Sequence, residues 1–229
     1  MGQVPKYLIA GYGRVARHFL HYFSRLNIPV AHWQRGMGVV PDADRILVLI
    51  SDSAIENFVD EHLADTKGVK IHFSGALVTD KAYGAHPLMT FNTRLYDLDT
   101  YKKIPFVIDA DAPSFEDLLP GLTNPHARLD KDMKAKYHAM CCMAANYSCL
   151  LWQKLFTTFQ NEFNLPPQMA NMLLTQQTQN LVDDYITALT GPLSRGDQGT
   201  LDKHLKSLAG DEFLQVYEAF MKAYKESKQ

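Results

Sequence analysis

The chain has 229 residues, and 46% of them are hydrophobic, enough to form the core of one large domain or two small ones. A formal net charge of -2 and the absence of an apolar run near the roughly 18 residues of a membrane span predict neither a nucleic-acid nor a membrane partner. The cysteines, Cys141, Cys142 and Cys149, lack C-x-x-C spacing, so we expect no metal site, no disulfide framework and a reducing, cytoplasmic location.

The first half of the chain alternates β-like runs with helical segments. We predict strands at residues 6–10, 29–33, 45–50, 69–73 and 105–108, and helices at residues 14–26 and 53–63. Strands that alternate with helices predict a parallel sheet, so the expected fold of this half is α/β and Rossmann-like. Too few residues separate Trp33 from Arg45 for a full crossover. A short third strand near residues 37–40 and a core strand order of 2-1-4-5 are therefore expected.

From about Leu129 onward the strand signals stop and the pattern is helical. We predict a long helix, a second helix and two shorter ones, at residues 130–163, 166–189, 201–208 and 212–225. The turn residues in LLPGLTNPHARLD mark a boundary between a Rossmann-like domain, residues 1–124, and an all-α domain, residues 125–229. The long helix is apolar nearly all round between Ala139 and Trp152, which predicts burial by neighbouring helices or by a second subunit. We therefore expect a homodimer.

The segment GYGRVA follows the first strand and begins the first helix, as in a dinucleotide-binding turn. In such a turn Gly11 allows the tight bend, Gly13 lets a pyrophosphate approach the backbone, and Ala16 permits close helix packing. The helix N-terminus would present free N–H groups to the phosphates. We predict cofactor contacts along this segment, at Gly11, Tyr12, Gly13, Arg14 and Val15. The alternative is a purely structural glycine turn.

The end of the second strand indicates which nucleotide would bind. NAD-binding folds place an acidic residue about 20 residues beyond the glycines. The segment AHWQRG has Gln34 and Arg35 there instead, and a guanidinium can pair with a 2′-phosphate. The sequence therefore favours NADP(H), unless Arg35 is only a solvated turn residue.

Ser51 and Asp52 are two further candidates for cofactor binding. They follow the strand at residues 45–50, at the edge where open α/β sheets bind ligands. Either residue could instead cap the next helix, a role that also suits Ser53.

Four segments, IHFSGAL, GAHPLMTF, KYHAMCCMAANY and TGPLSRGDQGTLDKHL, resemble a family of unknown function with a Rossmann-like N-terminal domain and a helical C-terminal domain. This family is similar, more distantly, to pyrroline-5-carboxylate reductase and the β-hydroxyacid dehydrogenases. Some members are similar to a non-standard ketopantoate reductase of pantothenate synthesis. The resemblance implies an NADP-dependent oxidoreductase of a small carbonyl or imine substrate, with 2-dehydropantoate (ketopantoate) as the most specific expectation.

Polar residues on the long helix are the first candidates for catalysis. At 100° per residue, one stripe holds His138, Cys142, Ala145 and Cys149, with Asn146 at its flank. His138 could donate a proton to the reduced oxygen or nitrogen, and Asn146 could orient the substrate. Both could equally be satisfied buried polar groups. The related dehydrogenases use a lysine and an asparagine on such a helix, but Lys134 lies a full turn earlier here.

Three loops supply the remaining candidates. His86 follows the fifth predicted strand and would face the nicotinamide, or it could simply fix the chain before Pro87. Ser74 and Gly75 end that strand and could bind substrate or ribose, or form a turn. Arg195 could hold a substrate carboxylate, pair with Asp197 or brace a dimer contact.

Two other functions fit the same residues. One is an imine reductase of the pyrroline-5-carboxylate type, which an assay of ketopantoate against cyclic imines would distinguish. The other is a redox-sensing or partner-binding module that binds the nucleotide without turnover. The shortened connection after Trp33 and the missing lysine favour this second alternative.

Overall fold

The computed structural model describes residues 7–228, which contain seven strands and ten α-helices. The strands are β1 (Tyr7–Ala10), β2 (Val30–Trp33), β3 (Arg45–Val48), β4 (Val69–His72), β5 (Tyr83–Pro87), β6 (Phe106–Asp109) and β7 (His126–Leu129). The helices are α1 (Arg14–Arg25), α2 (Ile55–His62), α3 (Leu98–Lys103), α4 (Phe115–Leu118), α5 (Lys134–Cys142), α6 (Ser148–Asn161), α7 (Asn171–Asp183), α8 (Pro192–Arg195), α9 (Gln198–Ser207) and α10 (Leu214–Glu226). Lys6, the first residue of a predicted strand, lies outside the described residues.

All seven strands of the described chain form one sheet of order β2-β1-β3-β4-β5-β6-β7. The first five strands are parallel, β6 is antiparallel to β5, and β7 is parallel to β6. The expected core order 2-1-4-5 is confirmed, since β3 and β4 are the fourth and fifth predicted strands. The carboxyl ends of β1 to β5 therefore lie along one edge of the sheet, where ligands of such folds bind.

Alternate residues of β1 enter two different cores. Tyr7 and Ile9 pack with aromatic residues of α1, whereas Leu8 and Ala10 pack on the other face with residues of α2. All four side chains are fully buried. Because both faces are covered, a central strand of this kind is a continuous apolar run rather than an alternating one.

The prediction of a short strand at residues 37–40 is wrong. These residues form bends after a turn at residues 35–36, and Gly36 and Gly38 have positive φ angles of 97° and 79°. The Trp33 indole N–H donates to the Gly38 carbonyl at 3.0 Å and ties the loop back to β2. The chain therefore passes from β2 to β3 through a compact loop.

Two strands were not predicted. β5 contains Gly84 and ends in Pro87, residues that usually weaken a strand. β7 follows Asn124 and Pro125, a typical turn signal, and it is an edge strand with only β6 beside it. Pairing with neighbouring strands outweighs these local signals.

The long predicted helix is present, but it is divided. A five-residue π-helical segment, Met143–Tyr147, separates α5 from α6. A π-helix takes an extra residue per turn, so the helical face rotates there and the predicted stripe does not continue unchanged from Cys142 to Cys149. Within this single chain Met140 and Met143 of the apolar helix are 52% and 51% exposed.

The remaining helices fit the sequence pattern in part. The second predicted helix is shorter than expected, because Asp184 is extended and ends α7. α9 and α10 correspond to the two shorter predicted helices. Across residues 7–228, every helix is too short or too polar to span a lipid bilayer.

The chain divides into two compact units, and the division falls between Leu150 and Leu151. The first unit contains the sheet together with α1 to α5, and the second contains α7 to α10. The assignment of residues 1–124 to a nucleotide-binding domain and 125–229 to a helical one stays a prediction.

Candidate functional site

Gly11 and Gly13, the two glycines of the first turn, differ in whether the fold requires glycine at their position. Gly11 has a φ of 124°, and an added Cβ atom would overlap the Leu49 carbonyl oxygen, so the fold itself requires glycine. Gly13 has an ordinary φ of -69°, and no atom lies within 4 Å of an added Cβ. Nothing in the described protein demands glycine at position 13. The missing side chain instead leaves open space beside the N-terminus of α1.

This N-terminus is open to a ligand. Gly13 is the N-cap of α1, no side chain caps the helix, and the first turn has no acidic residue. The first N–H groups of a helix have no partner within it, and together with the helix dipole they attract anions. Tyr12 and Arg14 are exposed beside them. The turn is therefore suited to phosphate.

Two adjoining clefts extend from this turn along the carboxyl edge of the sheet. The larger, about 1040 Å³, is lined by Arg35 and by the rings of Trp33, Phe58 and His62. The smaller measures about 560 Å³ and reaches Ser74. Tyr12, Ile50 and Ser51 line both clefts. Every predicted cofactor-binding residue lines one or both clefts, namely Gly11, Tyr12, Gly13, Arg14, Val15, Arg35, Ser51 and Asp52.

Asp52 and Ser74 link the ends of two neighbouring strands. The Ser74 hydroxyl donates to the Asp52 carboxylate and accepts the N–H groups of Ala76 and Leu77, at 3.3 and 3.0 Å. This hydroxyl thus holds the loop after β4. The alternative of a helix cap is wrong, because no side chain caps the 3₁₀ turn Asp52–Ala54 or α2.

His86, Tyr137 and His138 form a cluster with Gly75. His86 lies within β5 rather than in a loop after the fifth strand, and its Nδ1 is hydrogen-bonded to the Tyr137 hydroxyl at 2.8 Å. The ring centroids of His86 and His138 lie 5.7 Å apart, with the rings nearly perpendicular. A Cβ atom on Gly75 would be 2.5 Å from His138 Cδ2 and 3.2 Å from His86 Cδ2. Two of the three predicted catalytic residues are therefore in contact.

Burial sets the protonation of this cluster. It lowers the pKa of His86 to about 4, with further lowering by His138 and Lys134. Burial also raises the pKa of the Tyr137 phenol, and the neighbouring Cys141 adds to the effect. At neutral pH His86 is therefore uncharged and Tyr137 keeps its proton. His138 is partly exposed on α5.

A buried ion pair, which the sequence pattern does not predict, holds the beginning of α5. Lys134 Nζ lies 2.6 Å from Asp109 Oδ1, and the side chains are only 6% and 3% exposed. Asp109 Oδ2 also accepts the Gly84 N–H at 2.6 Å. This pair fastens α5 to β5 and β6 one turn before His138. The one sequence feature that could have indicated this ion pair is Asp109 itself, an acidic residue at the end of the apolar strand sequence FVID.

His72 is a second buried histidine near this pair. It is fully buried at the end of β4, and the Ser74 N–H donates to its Nδ1 at 3.2 Å. Its Nε2 has no hydrogen-bond partner among the described residues. Burial, reinforced by Lys134, lowers the pKa of His72 to about 4, so the ring is neutral at pH 7.

The other two predicted site residues lie apart from this cluster in the chain. Asn146 is exposed in the π-helical segment, eight residues beyond His138 and roughly 12 Å along the helix axis. Arg195 is exposed at the end of α8, in the second unit. Asp197 accepts the N–H and hydroxyl of Thr200 and caps α9, and it forms no ion pair with Arg195 in the described residues.

The sheet order, the glycine turn and the helix-rich C-terminal part define a Rossmann-like α/β protein with a helical C-terminal region. The sequence profile of the domain of unknown function DUF2520 matches residues 104–224, more than half of the chain. The chain belongs to the DUF2520 family. No protein with a curated description matches the sequence.

Several solved structures share this fold along nearly the whole chain. The protein BF3122 from Bacteroides fragilis, provisionally described as an NADP oxidoreductase, is 20% identical with a TM-score of 0.79, covering 96% of this chain and 97% of its own. Protein TM1727 from Thermotoga maritima is 18% identical with a TM-score of 0.74 and the same coverage. A reductive aminase from Aspergillus terreus, in complex with NADPH and ethyl levulinate, is 13% identical with a TM-score of 0.65, covering 98% and 94%.

Proposed function

We propose that the chain is an NADPH-dependent reductase of a small carbonyl or imine substrate. The observation that carries this proposal is the groove formed by the two adjoining clefts, which share Tyr12, Ile50 and Ser51 and are lined by Arg35, Gly13 and Ser74. NADPH, when bound, supplies a hydride. Ser74 precedes Gly75, against which His86 and His138 pack, so the groove leads toward groups that can handle a proton.

Two features of the groove and one structural comparison support NADPH as the cofactor. The space at Gly13 and the uncapped N-terminus of α1 suit a pyrophosphate. Arg35 lines the larger cleft at the place where an acidic residue would select NAD. The fold is similar to that of the Aspergillus terreus reductive aminase, which is described with NADPH.

In this proposal His138 is the proton donor to the substrate oxygen or nitrogen. His86 is neutral and bound to Tyr137, and it supports the His138 ring from the side. Positioned acids of this kind contribute about 10²- to 10⁴-fold to a rate. Asn146 and Arg195 stay candidates for orienting the substrate, and the backbone at Gly75 is a candidate contact.

Ketopantoate is the first substrate to test, because the family resemblance implies it. An imine is the second candidate, and the Asp52 carboxylate in the smaller cleft favours it. A protonated imine is a cation, and a nearby carboxylate stabilises a cation more than a neutral ketone. The fold similarity to a reductive aminase agrees with this alternative.

The test is a titration of the full chain with NADPH and with NADH, followed by ketopantoate or a cyclic imine, while the absorbance of the reduced cofactor is recorded. Oxidation of NADPH by ketopantoate supports the first candidate, and oxidation only by the imine supports the second. Binding without oxidation on either substrate favours a sensor module. Failure to bind either nucleotide overturns the proposal.

We also propose that the protein is a homodimer. Large apolar side chains are exposed on α5, in the π-helical segment and on α7, where Met172 is 72% and Val182 75% exposed. Exposed apolar surface of this kind usually marks an interface. A second copy of this chain is the partner proposed, because most soluble oligomers are homo-oligomers. Sedimentation at working concentration should give a dimer, and a monomer would contradict this.

A further inference from the structure

His32, in β2, makes a hydrogen bond that no nucleotide-binding motif predicts. Its Nε2 lies 2.9 Å from the carbonyl oxygen of Gly11, 21 residues earlier in the chain. A carbonyl oxygen only accepts, so Nε2 carries the hydrogen and donates it. The N–H of Gly11 in turn donates to the Trp33 carbonyl at 2.9 Å. Strand β2 thus holds Gly11 by both of its backbone polar groups.

This bond sets the direction of the next N–H group. A trans peptide is planar, so the Gly11 carbonyl and the Tyr12 N–H point in opposite directions. Because the carbonyl faces His32, the Tyr12 N–H faces away from it. Among the described residues, the N–H groups of Tyr12 and Gly13 have no hydrogen-bond acceptor. Both residues line the smaller cleft.

Gly11 cannot fix this orientation alone. Glycine has the widest conformational freedom of all residues, and a peptide beside it can rotate unless a partner holds it. The His32 ring provides that partner, and it also packs against the Tyr12 ring, with centroids 5.5 Å apart. Tyr12 is 61% exposed, so few other contacts restrain it.

We propose that His32 is a positioning residue that orients the Gly11–Tyr12 peptide toward the pyrophosphate of a bound dinucleotide. This inference rests on the proposed NADPH site. His32 acts through the peptide and prepares the turn before the ligand arrives. Preorganised N–H donors bind an anion without a reorganisation cost at the moment of binding.

Three substitutions in the full chain test this role, with NADPH affinity measured by titration. His32→Leu removes the N–H that holds the Gly11 carbonyl, so the peptide can rotate and the Tyr12 N–H no longer faces the phosphate. NADPH binding should weaken about tenfold or more, in line with the cost of losing a hydrogen bond to a charged group. His32→Gln keeps an amide N–H at a reach similar to that of Nε2 and should restore most of the affinity. His32→Asn is polar but too short, and it should behave like the leucine variant.

His126→Leu is a matched control. His126 lies in β7, at the opposite edge of the sheet, and its Nδ1 also approaches a backbone carbonyl, that of Asn124 at 3.2 Å. This variant should bind NADPH like the wild type. Melting temperatures measured without nucleotide show how far each variant is destabilised. A loss of NADPH affinity in the asparagine variant at a temperature where it stays folded then reports positioning rather than unfolding.

Three results would count against the inference, and the last of them concerns the proposed function instead. If the wild type binds NADPH and the leucine and asparagine variants bind it equally well, His32 does not position the turn and the inference is overturned. Equal losses in the glutamine and asparagine variants would also overturn it, because the donor would then not matter. If the wild type binds no nucleotide, the proposed function fails first.

Discussion

His138 packs edge-on against Gly75, so closely that a Cβ atom on Gly75 would lie 2.5 Å from His138 Cδ2. The fold thus uses a glycine in the loop after β4 to admit an imidazole from α5. Because the same Cβ would lie 3.2 Å from His86 Cδ2, both histidines depend on this gap. The glycine is a structural requirement of the histidine pair.

Gly75→Ala should therefore displace His138 and lower turnover, while NADPH affinity stays within a few fold of the wild type. If His138 is the proton donor, His138→Ala should lower kcat by roughly 10²-fold or more, and Gly75→Ala should follow it in direction. Steady-state kinetics with parallel nucleotide titration measure both. Gly199→Ala is the control, since its Cβ would meet only the Asp197 carboxylate at 3.8 Å. Unchanged kcat in both site variants would remove the role of His138.

Gly11 and Gly13 should respond in opposite ways to alanine. Gly11→Ala must overlap the Leu49 carbonyl and adopt a strained positive φ, so its melting temperature should fall by several degrees. Gly13→Ala meets no protein atom and should melt near the wild type, but its methyl group enters the ligand space and should weaken NADPH binding tenfold or more. Thermal melting without ligand and titration with NADPH check the pair. Full NADPH affinity in Gly13→Ala would mean that no ligand approaches there.

The sequence predicts most of the α/β half of the fold because its signals are local. Continuous apolar runs identify β1 and β3, and the glycine turn at Gly11 marks the first strand-to-helix connection. The strands β5 and β7 contain or follow residues that usually break strands, and they form through pairing with their neighbours. Local patterns cannot reveal such pairing.

The candidate site is predicted only in part for the same reason. The sequence indicates His86 and His138 singly, but the contact between them depends on β5, a strand that was not predicted. Lys134 lies a turn before His138, and its pairing with Asp109 links positions 25 residues apart. The π-helical segment that interrupts the predicted stripe and contains Asn146 has no clear sequence signal.

Lys134→Met should destabilise the protein strongly. It leaves the Asp109 carboxylate buried without its cation, and breaking a buried pair in this way costs about 3–5 kcal/mol of unfolding free energy. The double variant with Asp109→Asn should recover part of that loss, because no charge stays buried. Denaturant unfolding measures both.

The exposed ion pair of Lys81 and Asp60 provides the control for this prediction. Its side chains are 40% and 56% exposed, and solvent screens such pairs. Lys81→Met should change the unfolding free energy far less than Lys134→Met. Equal losses of unfolding free energy in the two variants would show that burial of the Lys134–Asp109 pair does not increase its importance for stability.

The buried histidines predict acid sensitivity. The pKa values of His72 and His86 are both lowered to about 4, whereas an unfolded histidine titrates near 6.5. Between these values the unfolded state binds more protons, so stability falls as the pH falls. This contribution is fully present above about pH 6.5 and is lost progressively toward pH 4. Each histidine steepens the loss by up to about 1.4 kcal/mol per pH unit.

Denaturant unfolding at a series of pH values measures this slope. His72→Asn keeps an acceptor for the Ser74 N–H and removes the titrating group, so its slope between pH 6.5 and 4 should be shallower than that of the wild type. His62→Asn replaces a histidine whose side chain is 45% exposed and should leave the slope unchanged. If the unfolding free energy of His72→Asn depended on pH as steeply as that of the wild type, His72 would be excluded as a cause of the acid sensitivity.

Arg35→Ala should separate NADPH from NADH. The Arg35 side chain is exposed and lines the larger cleft, and charge-assisted hydrogen bonds from a guanidinium to phosphate are strong and often bidentate. We expect NADPH affinity to fall about 10- to 100-fold, because only NADPH carries the 2′-phosphate, and NADH affinity to stay nearly constant. Titration of both nucleotides gives the ratio directly. Arg94→Ala, at another exposed arginine, is the control and should change neither affinity. If the ratio of NADPH to NADH affinity were unchanged in Arg35→Ala, Arg35 would be only a solvated turn residue.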